Sequence, residues 1–382
     1  MDSLDRRLLL GAGLGAAGLM AGLPAGAQAA EATVTAAEAA AARPTHSIRF
    51  AVIGLDHAHI LLMTAALLRG GGQLAAVHAE DPGQVAAFRA KFGDVPLARG
   101  EAEILDDPSI QLVAGAPIPD LRAPLGIRVM RHGKDFLSDK PGITSLEQLA
   151  EVRRAIAETG RRFAIMYSER LEVPAAVKAG ELVQAGAIGK VVQTINIAPH
   201  QVNPASRPAW FWDKARYGGI LNDIGSHQVE QFLFYTGSKT ATVLSSQIGN
   251  LAHPDHPGFE DFGDVTLSGD GGAGYVRVDW FTPDGLGTWG DGRLFILGTE
   301  GYIELRKYAD PAGRPGGNHL FLVDRRQALY LDCSRVPLPF GPQFVADVAQ
   351  RTQIAQDQTE TLLAAELVLR AQRDARRLSF TS

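Results

Sequence analysis

The sequence has one cysteine, no long apolar run and no surplus of basic residues, and each absence excludes a class of protein. Cys333, being alone, forms no internal disulfide and builds no cysteine metal cluster. Acidic residues outnumber lysine plus arginine by 42 to 37, for a net charge of −5, so nucleic acid is not an expected partner. What remains is a 382-residue chain of ordinary globular composition, long enough for two domains.

Residues 1–29 are predicted to be a targeting peptide. The pair Arg6 and Arg7 precedes a weakly apolar Gly- and Ala-rich run, and an Ala-x-Ala cleavage site ends at Ala29. The run is too short for a transmembrane helix, so no membrane span is expected after cleavage. The arginine pair is similar to a twin-arginine signal, whose machinery exports folded proteins; a general secretory signal is the alternative. Residues 30–46, rich in alanine, are predicted to be a flexible linker.

Residues 47–170 have the order of elements of a dinucleotide-binding domain. A buried strand ends at Ile53, a turn begins at Gly54, and an apolar helix follows from Ile60 to Leu68. Further buried strands are predicted over residues 74–78, 110–116 and 162–167. Strands that alternate with helices in this way indicate a parallel sheet.

The turn after the first strand departs from the usual dinucleotide pattern. Of Gly-x-Gly-x-x-Gly only Gly54 remains, because Asp56 and His59 occupy the other two glycine positions. Asp56 adds a side chain and a negative charge where the backbone normally approaches the pyrophosphate. We therefore expect a different phosphate grip, with His57 or His59 donating to phosphate oxygens; the alternative is a turn that binds no dinucleotide. Two histidines without a third ligand nearby are a weak metal signal, so no metal is predicted.

A second candidate site lies in a glycine turn that leads into a helix, over residues 218–237. Asp223 and His227 are four residues apart and share one helix face, and Glu230 lies three residues further on, near enough to orient the imidazole. A carboxylate and an imidazole on one face, beside a glycine, make an acid/base site. The alternative is a helix N-terminus with Asp223 as its cap and His227 as a satisfied polar residue.

Residues 171–382 change to a period of two and are predicted to form a large antiparallel sheet, with strands spread over residues 191–331. A long helix over about residues 343–376 closes the chain. Trp210 and Trp212 precede the glycine turn, where aromatic rings either stack on a sugar face or pack in the core.

Two motifs resemble the glucose–fructose oxidoreductase / inositol dehydrogenase (Gfo/Idh/MocA) family. Residues 218–227 match Gly-Gly-x-x-x-Asp-x-Gly-x-His, and residues 133–141 are similar to the family's Gly-Lys-x-x-x-x-Glu-Lys-Pro, with Asp139 in place of Glu. The resemblance implies an α/β fold: an N-terminal Rossmann-like parallel sheet domain, then an α+β domain with a large, mostly antiparallel open sheet. It also implies that Lys140 meets nicotinamide and substrate.

The family also places an acidic residue after the second strand to hold the adenosine ribose. Ala79 stands at that position here and Glu80 follows it, so Glu80 is expected to substitute and the choice between NAD and NADP stays open. The expected cofactor contacts are Gly54, Asp56, His57, His59, Glu80 and Lys140.

The resemblance implies an NAD(P)-dependent oxidoreductase that transfers hydride to or from a sugar, polyol or glycoside. Its catalytic residues are Lys140, which polarises the reacting oxygen; His227, which takes the hydroxyl proton; and Asp223, which positions substrate or His227. Dinucleotide is scarce outside the cytoplasm, so we expect a periplasmic homo-oligomer exported with its cofactor tightly bound. An NAD-dependent glycoside hydrolase and a cofactor-free sugar-binding protein are the alternatives.

Overall fold

The computed structural model describes residues 29–31 and 34–379 of the chain. The first part of the chain contains β1 (Ala29–Glu31), α1 (Ala36–Ala41), β2 (Arg49–Ile53), α2 (His59–Arg69), β3 (Gln73–His78), α3 (Pro82–Phe92), α4 (Glu101–Leu105), β4 (Leu112–Gly115), α5 (Pro119–Arg131), β5 (Asp135–Asp139), α6 (Leu146–Thr159), β6 (Phe163–Met166), α7 (Ser168–Leu171) and α8 (Pro174–Gln184). The second part contains β7 (Val191–Pro199), α9 (Lys214–Tyr217), α10 (Ile220–Asp223), α11 (Gly225–Thr236), β8 (Ala241–Gly249), β9 (Phe262–Gly269), β10 (Ala273–Asp279), β11 (Arg293–Gly298), β12 (Gly301–Arg306), β13 (His319–Asp324), β14 (Ala328–Asp332), α12 (Phe340–Gln350), α13 (Gln358–Asp374) and β15 (Arg376–Arg377).

Five parallel strands form the sheet of the first domain, in the order β3-β2-β4-β5-β6. Every residue of β4, β5 and β6 is buried, as expected for strands covered by helices on both faces. Because the strands are parallel, their carboxyl ends lie along one edge. The loops that follow Ile53, Gly115 and Asp139 therefore leave the sheet side by side, and the predicted Rossmann-like domain is confirmed.

The second domain is built on a ten-stranded sheet in the order β1-β14-β13-β12-β11-β7-β10-β9-β8-β15. Its central pairs are antiparallel except β7 with β10, which run parallel. Buried residues alternate along β9, β10 and β11, so one face of the sheet covers the core. The predicted mostly antiparallel sheet is confirmed.

The predicted long C-terminal helix is wrong, because the chain forms two helices, α12 and α13, with a turn between them. Arg351 ends α12 in the left-handed conformation at φ 61°. Asp347 then holds the turn: its carboxylate accepts the backbone N–H groups of Ile354 and Ala355, each at 2.8 Å. Asp357 caps the start of α13 through two backbone N–H groups. Apolar periodicity on both sides of the turn concealed the break.

The helix α12 packs on α2 of the first domain, and α13 lies between the two domains, against α6 and β6 of the first and α10, α11 and β8 of the second. Gly341 of α12 lies so close to α2 that a Cβ atom there would come 2.1 Å from the Ala66 carbonyl oxygen. The Gln358 side chain accepts from the Phe163 N–H at 2.9 Å and donates to the Phe163 carbonyl at 2.7 Å, which satisfies the free edge of β6. The first domain is therefore completed by the end of the chain.

The N-terminal segment expected to be a linker, residues 30–46, carries part of β1 and all of α1. Thr35 and Glu38 form a capping box at the start of α1. The Glu38 carboxylate also meets Lys178 of α8 at 2.6 Å. The predicted signal peptide lies almost wholly outside the described residues, which exclude residues 1–28. Within the described part of the chain, no helix is both long and apolar enough to cross a membrane.

Candidate active site

A cavity of about 440 Å³ lies where the carboxyl ends of the parallel strands face the second domain. Its wall takes polar residues from both domains and aromatic residues from the second: Asp56, His57, His59, Arg122, Lys140, His200, Arg207, Trp210, Asp223, Trp280 and Trp289. The two sequence motifs, which lie more than 80 residues apart, therefore contribute to a single site.

Lys140 and Asp223 form an ion pair on this wall. Lys140 follows β5 and is 5% exposed, Asp223 ends α10, and the distance from Nζ to Oδ1 is 2.9 Å. Burial alone would raise the pKa of the Asp223 carboxyl, but the Lys140 ammonium outweighs it and the pKa is lowered. The site therefore presents a fixed ammonium to a ligand, held in place by a carboxylate.

His227 lies four residues beyond Asp223, in the first turn of α11, and is 2% exposed. Its ring meets the Tyr167 ring edge to face, with centroids 6.2 Å apart, and its Nδ1 has no hydrogen-bond partner among the described residues. Burial lowers the pKa of His227 well below its usual range, and the Glu169 carboxylate opposes that shift. The imidazole is therefore neutral at pH 7 and lies behind the residues that line the cavity.

The prediction that Glu230 orients His227 is wrong. The Glu230 carboxylate accepts from Nε of Arg170, at 2.6 Å, instead. Arg170 belongs to α7, which packs beside α11, and its guanidinium also lies 4.1 Å from the Phe234 ring. A partner contributed by another helix thus draws the carboxylate away from the imidazole.

The unusual turn after β2 brings His57 and His59 to the buried carboxylate of Asp139. His57 Nδ1 lies 2.8 Å from Oδ2, and His59 Nδ1 lies 3.0 Å from Oδ1. Arg122 of α5, also fully buried, lies 3.0 Å from Oδ2. Burial would raise the pKa of Asp139, but Arg122 and both histidines hold it well below its usual range. The turn is therefore tied to the end of β5, through residues that the resemblance did not single out.

A second cleft, of about 390 Å³, opens beyond the carboxyl ends of β2, β3 and β4 and shares Asp56 with the catalytic cavity. Gly54 has φ 83°, and a Cβ atom there would come 2.8 Å from Pro117, so the cradle admits only glycine. Glu80 lines this cleft with a side chain that is 96% exposed. A bare turn at the end of the first strand, beside an acidic residue after the second, fits the phosphates and ribose of a dinucleotide.

The predicted cofactor residues therefore divide between two neighbouring spaces. Gly54 and Glu80 line the cleft, Asp56 lines both, and His57, His59 and Lys140 line the catalytic cavity. Gly54 and Glu80 would therefore hold the adenosine end of a dinucleotide, and Lys140 lies in the adjoining space, which shares Asp56.

Aromatic side chains form the opposite wall of the catalytic cavity. The ring of His200 meets the rings of Trp289 and Trp280, with centroids 4.7 and 5.5 Å apart. The Arg207 guanidinium lies over the Trp280 ring at 4.9 Å. Trp212, by contrast, stacks on His256 at 3.9 Å and does not line the cavity. Of the two tryptophans that the sequence offered, only Trp210 is placed to meet a ligand.

Models of protein families match both domains. Residues 48–167 match an oxidoreductase family with an NAD-binding Rossmann fold, and residues 176–304 match the GFO/IDH/MocA C-terminal domain. A putative oxidoreductase from Erwinia carotovora atroseptica SCRI1043, solved by crystallography, is 48% identical; the match covers 87% of this chain and 100% of that one, with a TM-score of 0.84. The chain belongs to the Gfo/Idh/MocA family.

Other Gfo/Idh/MocA-like proteins share less of the sequence. A scyllo-inositol 2-dehydrogenase (NAD(+)) of Bacillus subtilis (strain 168) is 27% identical over 269 residues, which are 68% of this chain and 73% of that protein. Levoglucosan dehydrogenase, solved with NADH and levoglucosan, is 16% identical, with a TM-score of 0.72 over 86% of this chain and 98% of its own. At that identity the likeness shows the fold alone.

Sequence reasoning missed several residues of this Gfo/Idh/MocA site. The local pattern gave no signal for Arg122, and Asp139 stood out only as the residue in place of the family's glutamate. Nothing in the local pattern singled out His200 or Arg207, which lie in or beside irregular loops. Basic or imidazole side chains just after a strand of the second domain are the signal that would have found them.

Proposed function

We propose that this protein is a nicotinamide-dependent dehydrogenase that acts on a secondary hydroxyl of a sugar or polyol. The observation that carries the proposal is the Lys140–Asp223 pair, on the wall of a cavity that continues past Asp56 into the dinucleotide cleft. An ammonium next to the nicotinamide end of such a cleft is suited to stabilise a developing alkoxide.

Each residue has a defined role in this proposal. Lys140 donates a hydrogen bond to the reacting oxygen. Asp223 accepts a hydrogen bond from Lys140 and so restricts the conformations of the lysine side chain. His227, kept neutral by burial, accepts the hydroxyl proton, which requires the substrate to reach past the residues in front of its ring. The nicotinamide, when bound, accepts or supplies the hydride.

A sugar or polyol is the substrate class that the cavity wall favours. Indole and imidazole rings offer flat apolar faces, and Arg207 and His200 offer polar edges around them. Relatives of the chain are named inositol and D-xylose dehydrogenases, at 27% and 26% identity, which agrees with this class.

We also propose that the protein is exported by the twin-arginine machinery and works in the periplasm as a homo-oligomer. The support for export is the Arg6–Arg7 pair before a weakly apolar run. An enzyme that leaves the cytoplasm must carry its cofactor with it, so NAD or NADP stays tightly bound and is recycled between a donor and an acceptor substrate.

The test begins with the cofactor. The purified protein is denatured, and the supernatant is analysed by mass spectrometry for NAD and NADP; loaded protein is then assayed with inositols and D-xylose. Lys140→Ala is expected to lose about a hundredfold or more in turnover, while Lys190→Ala, at an exposed lysine, keeps normal turnover. Failure to bind any dinucleotide, even after reloading, would leave the sugar-binding alternative. Release of free sugar without net reduction would favour the glycoside hydrolase.

A further inference from the structure

We infer that His57, His59 and Asp139 form a binding site for a divalent transition-metal ion on the wall of the catalytic cavity. Ligand atoms from all three residues lie within 4.8 Å of one another. The two histidines come from one turn, and Asp139 comes from the end of β5, some 80 residues later. This third ligand, which the sequence did not reveal beside the two histidines, turns a weak motif into a three-ligand cluster.

The arrangement of the nitrogen and oxygen atoms fits shared ligation. His57 Nδ1 and Asp139 Oδ2 face each other at 2.8 Å, yet neither has a well-directed hydrogen-bond partner among the described residues. His59 Nδ1 approaches the other oxygen, Oδ1, at 3.0 Å. Ligands bound at about 2.0–2.2 Å around one ion are separated by distances only slightly longer than these. Small shifts of the half-buried imidazoles would therefore admit the ion.

The carboxylate already has the outer contacts that a metal ligand needs. The backbone N–H of Lys140 donates to Oδ1 at 2.8 Å, and Arg122 lies 3.0 Å from Oδ2 while donating to the Pro117 carbonyl at 2.8 Å. Such partners fix the orientation of a ligating carboxylate. The positive charge of Arg122 opposes a cation, but the carboxylate of Asp56 on the same wall offsets it, while Asp223 is paired with Lys140.

Two imidazoles and one carboxylate are donors suited to Zn²⁺ or another divalent first-row metal, and three protein ligands leave coordination positions open. Those positions face the cavity, because His57 and His59 both line it while Asp139 is fully buried behind them. An ion held there would bind a substrate oxygen beside the Lys140 ammonium. Each imidazole keeps Nε2 free to donate to a ligand.

Metal binding is tested on full-length protein freed of metal with a chelator, without substrate or cofactor, so the outcome does not depend on the proposed dehydrogenase function. Calorimetric titration with Zn²⁺ is expected to show one ion per chain. His57→Gln and His59→Gln should each lower the affinity by about a hundredfold or more, since loss of an outer partner alone typically costs 10–100-fold. His132→Gln is the matched control, because exposed His132 also faces a carboxylate, Asp106 at 3.8 Å, but lacks a second histidine.

Absence of Zn²⁺ binding to the wild type would overturn the inference, and so would unchanged affinity in the His57 and His59 variants. Circular dichroism checks that these variants fold. If either variant fails to fold, X-ray absorption is measured on the wild type loaded with Co²⁺. Two imidazole ligands to the cobalt support the site, and a spectrum without imidazole ligands refutes it.

Discussion

At the scale of single residues, the histidines of this site differ in how deeply they are buried and in which side chains they contact. His227 is enclosed next to Tyr167, whereas His57 and His59 lie on the cavity wall against Asp139. Burial lowers the pKa of both His227 and His57, the latter to about 4 with a contribution from His59. His227 and His57 are therefore neutral in the same site as the charged Lys140–Asp223 pair.

The depressed pKa of His227 predicts an unusual pH dependence of turnover. A base acts in its neutral form, which exists above its pKa, so lowering the pKa moves the acidic limb of kcat/KM to below about pH 6.5, the ordinary value for histidine. We expect kcat/KM to stay flat from pH 8 down through pH 6.5. Steady-state rates across that range measure it, and a limb centred at or above pH 6.5 would contradict the role given to His227.

The acidic cleft predicts a preference for NAD over NADP. Glu80 is exposed there, with only His78 Nε2 near its carboxylate at 3.5 Å, and Asp81 caps α3. Arg128, the arginine that lines the cleft, is already paired with Glu101 at 2.9 Å rather than available for a 2′-phosphate. One close like charge costs roughly 1 kcal/mol in water, or about fivefold in affinity. Calorimetry should show NAD binding at least that much more tightly. Glu80→Gln should reduce the difference in affinity between NAD and NADP, whereas Glu147→Gln, at an exposed glutamate, should leave it unchanged. Equal affinities of the wild type for the two dinucleotides would refute the prediction.

The residue contacts that the sequence could not predict are the long-range ones. Motif spacing identified Lys140 and Asp223 because each stands in a recognisable local pattern. The partners of Asp139 lie 80 and 17 residues away on other elements, and Glu230 finds Arg170 rather than a neighbour on its own helix. Helical spacing states which residues share a face, but not which element covers that face.

At the scale of elements, local patterning predicted the strands well and the ends of the helices poorly. The sequence predicts strands over residues 191–331, and the first of the sheet's strands in that range, β7, begins at Val191. The helix expected over residues 218–237 is divided at Ile224 into α10 and α11, and it ends at left-handed Gly237 as predicted. Strand boundaries follow turn residues that are visible in the sequence, whereas helix breaks depend on caps contributed by side chains such as Asp347.

The ion cluster of Glu38, Lys178 and Glu181 predicts that the attachment of α1 to α8 depends on pH. Lys178 lies between Glu38 and Glu181, at 2.6 and 3.4 Å, and burial followed by Glu38 raises the pKa of Glu181 to about 7. A raised folded-state pKa gives stability at low pH that is lost as pH rises through that value. Lys178→Met should therefore release α1 more at pH 8 than at pH 6, seen as faster amide exchange over residues 36–41. Lys239→Met, at an exposed ion pair, is the control; equal protection in wild type and Lys178→Met would contradict this view.

At the scale of the whole molecule, the order of strands and helices along the chain was sufficient to predict two domains of the correct classes. Alternating strands and helices gave the parallel sheet, and the change to a period of two gave the large second sheet. The packing of α12 on the first domain, and of α13 between the two domains, was not predictable, because an apolar helix face does not specify which domain it covers.

Export of the whole molecule is tested by replacing the twin arginines. Arg6→Lys with Arg7→Lys should block appearance of the protein in the periplasm, because the pathway recognises the pair. The matched control replaces a second arginine pair, the exposed Arg376 and Arg377, with lysines. Fractionation and immunoblotting measure the yield, and an undiminished periplasmic yield in the first variant would refute the assignment.

The two hydrogen bonds between the Gln358 side chain and Phe163 of β6 affect when the chain folds relative to its synthesis. Phe163 leaves the ribosome 195 residues before Gln358, and until then the edge of the parallel sheet is open. Domains generally fold as units, the N-terminal one first, as the chain emerges. Here the edge strand of the nucleotide-binding half gains these two hydrogen bonds only when the last part of the polypeptide has been made, so we expect stable capture of a dinucleotide to follow the end of translation. On the proposed twin-arginine route, the time between the end of translation and export would be the time in which the protein takes up its cofactor.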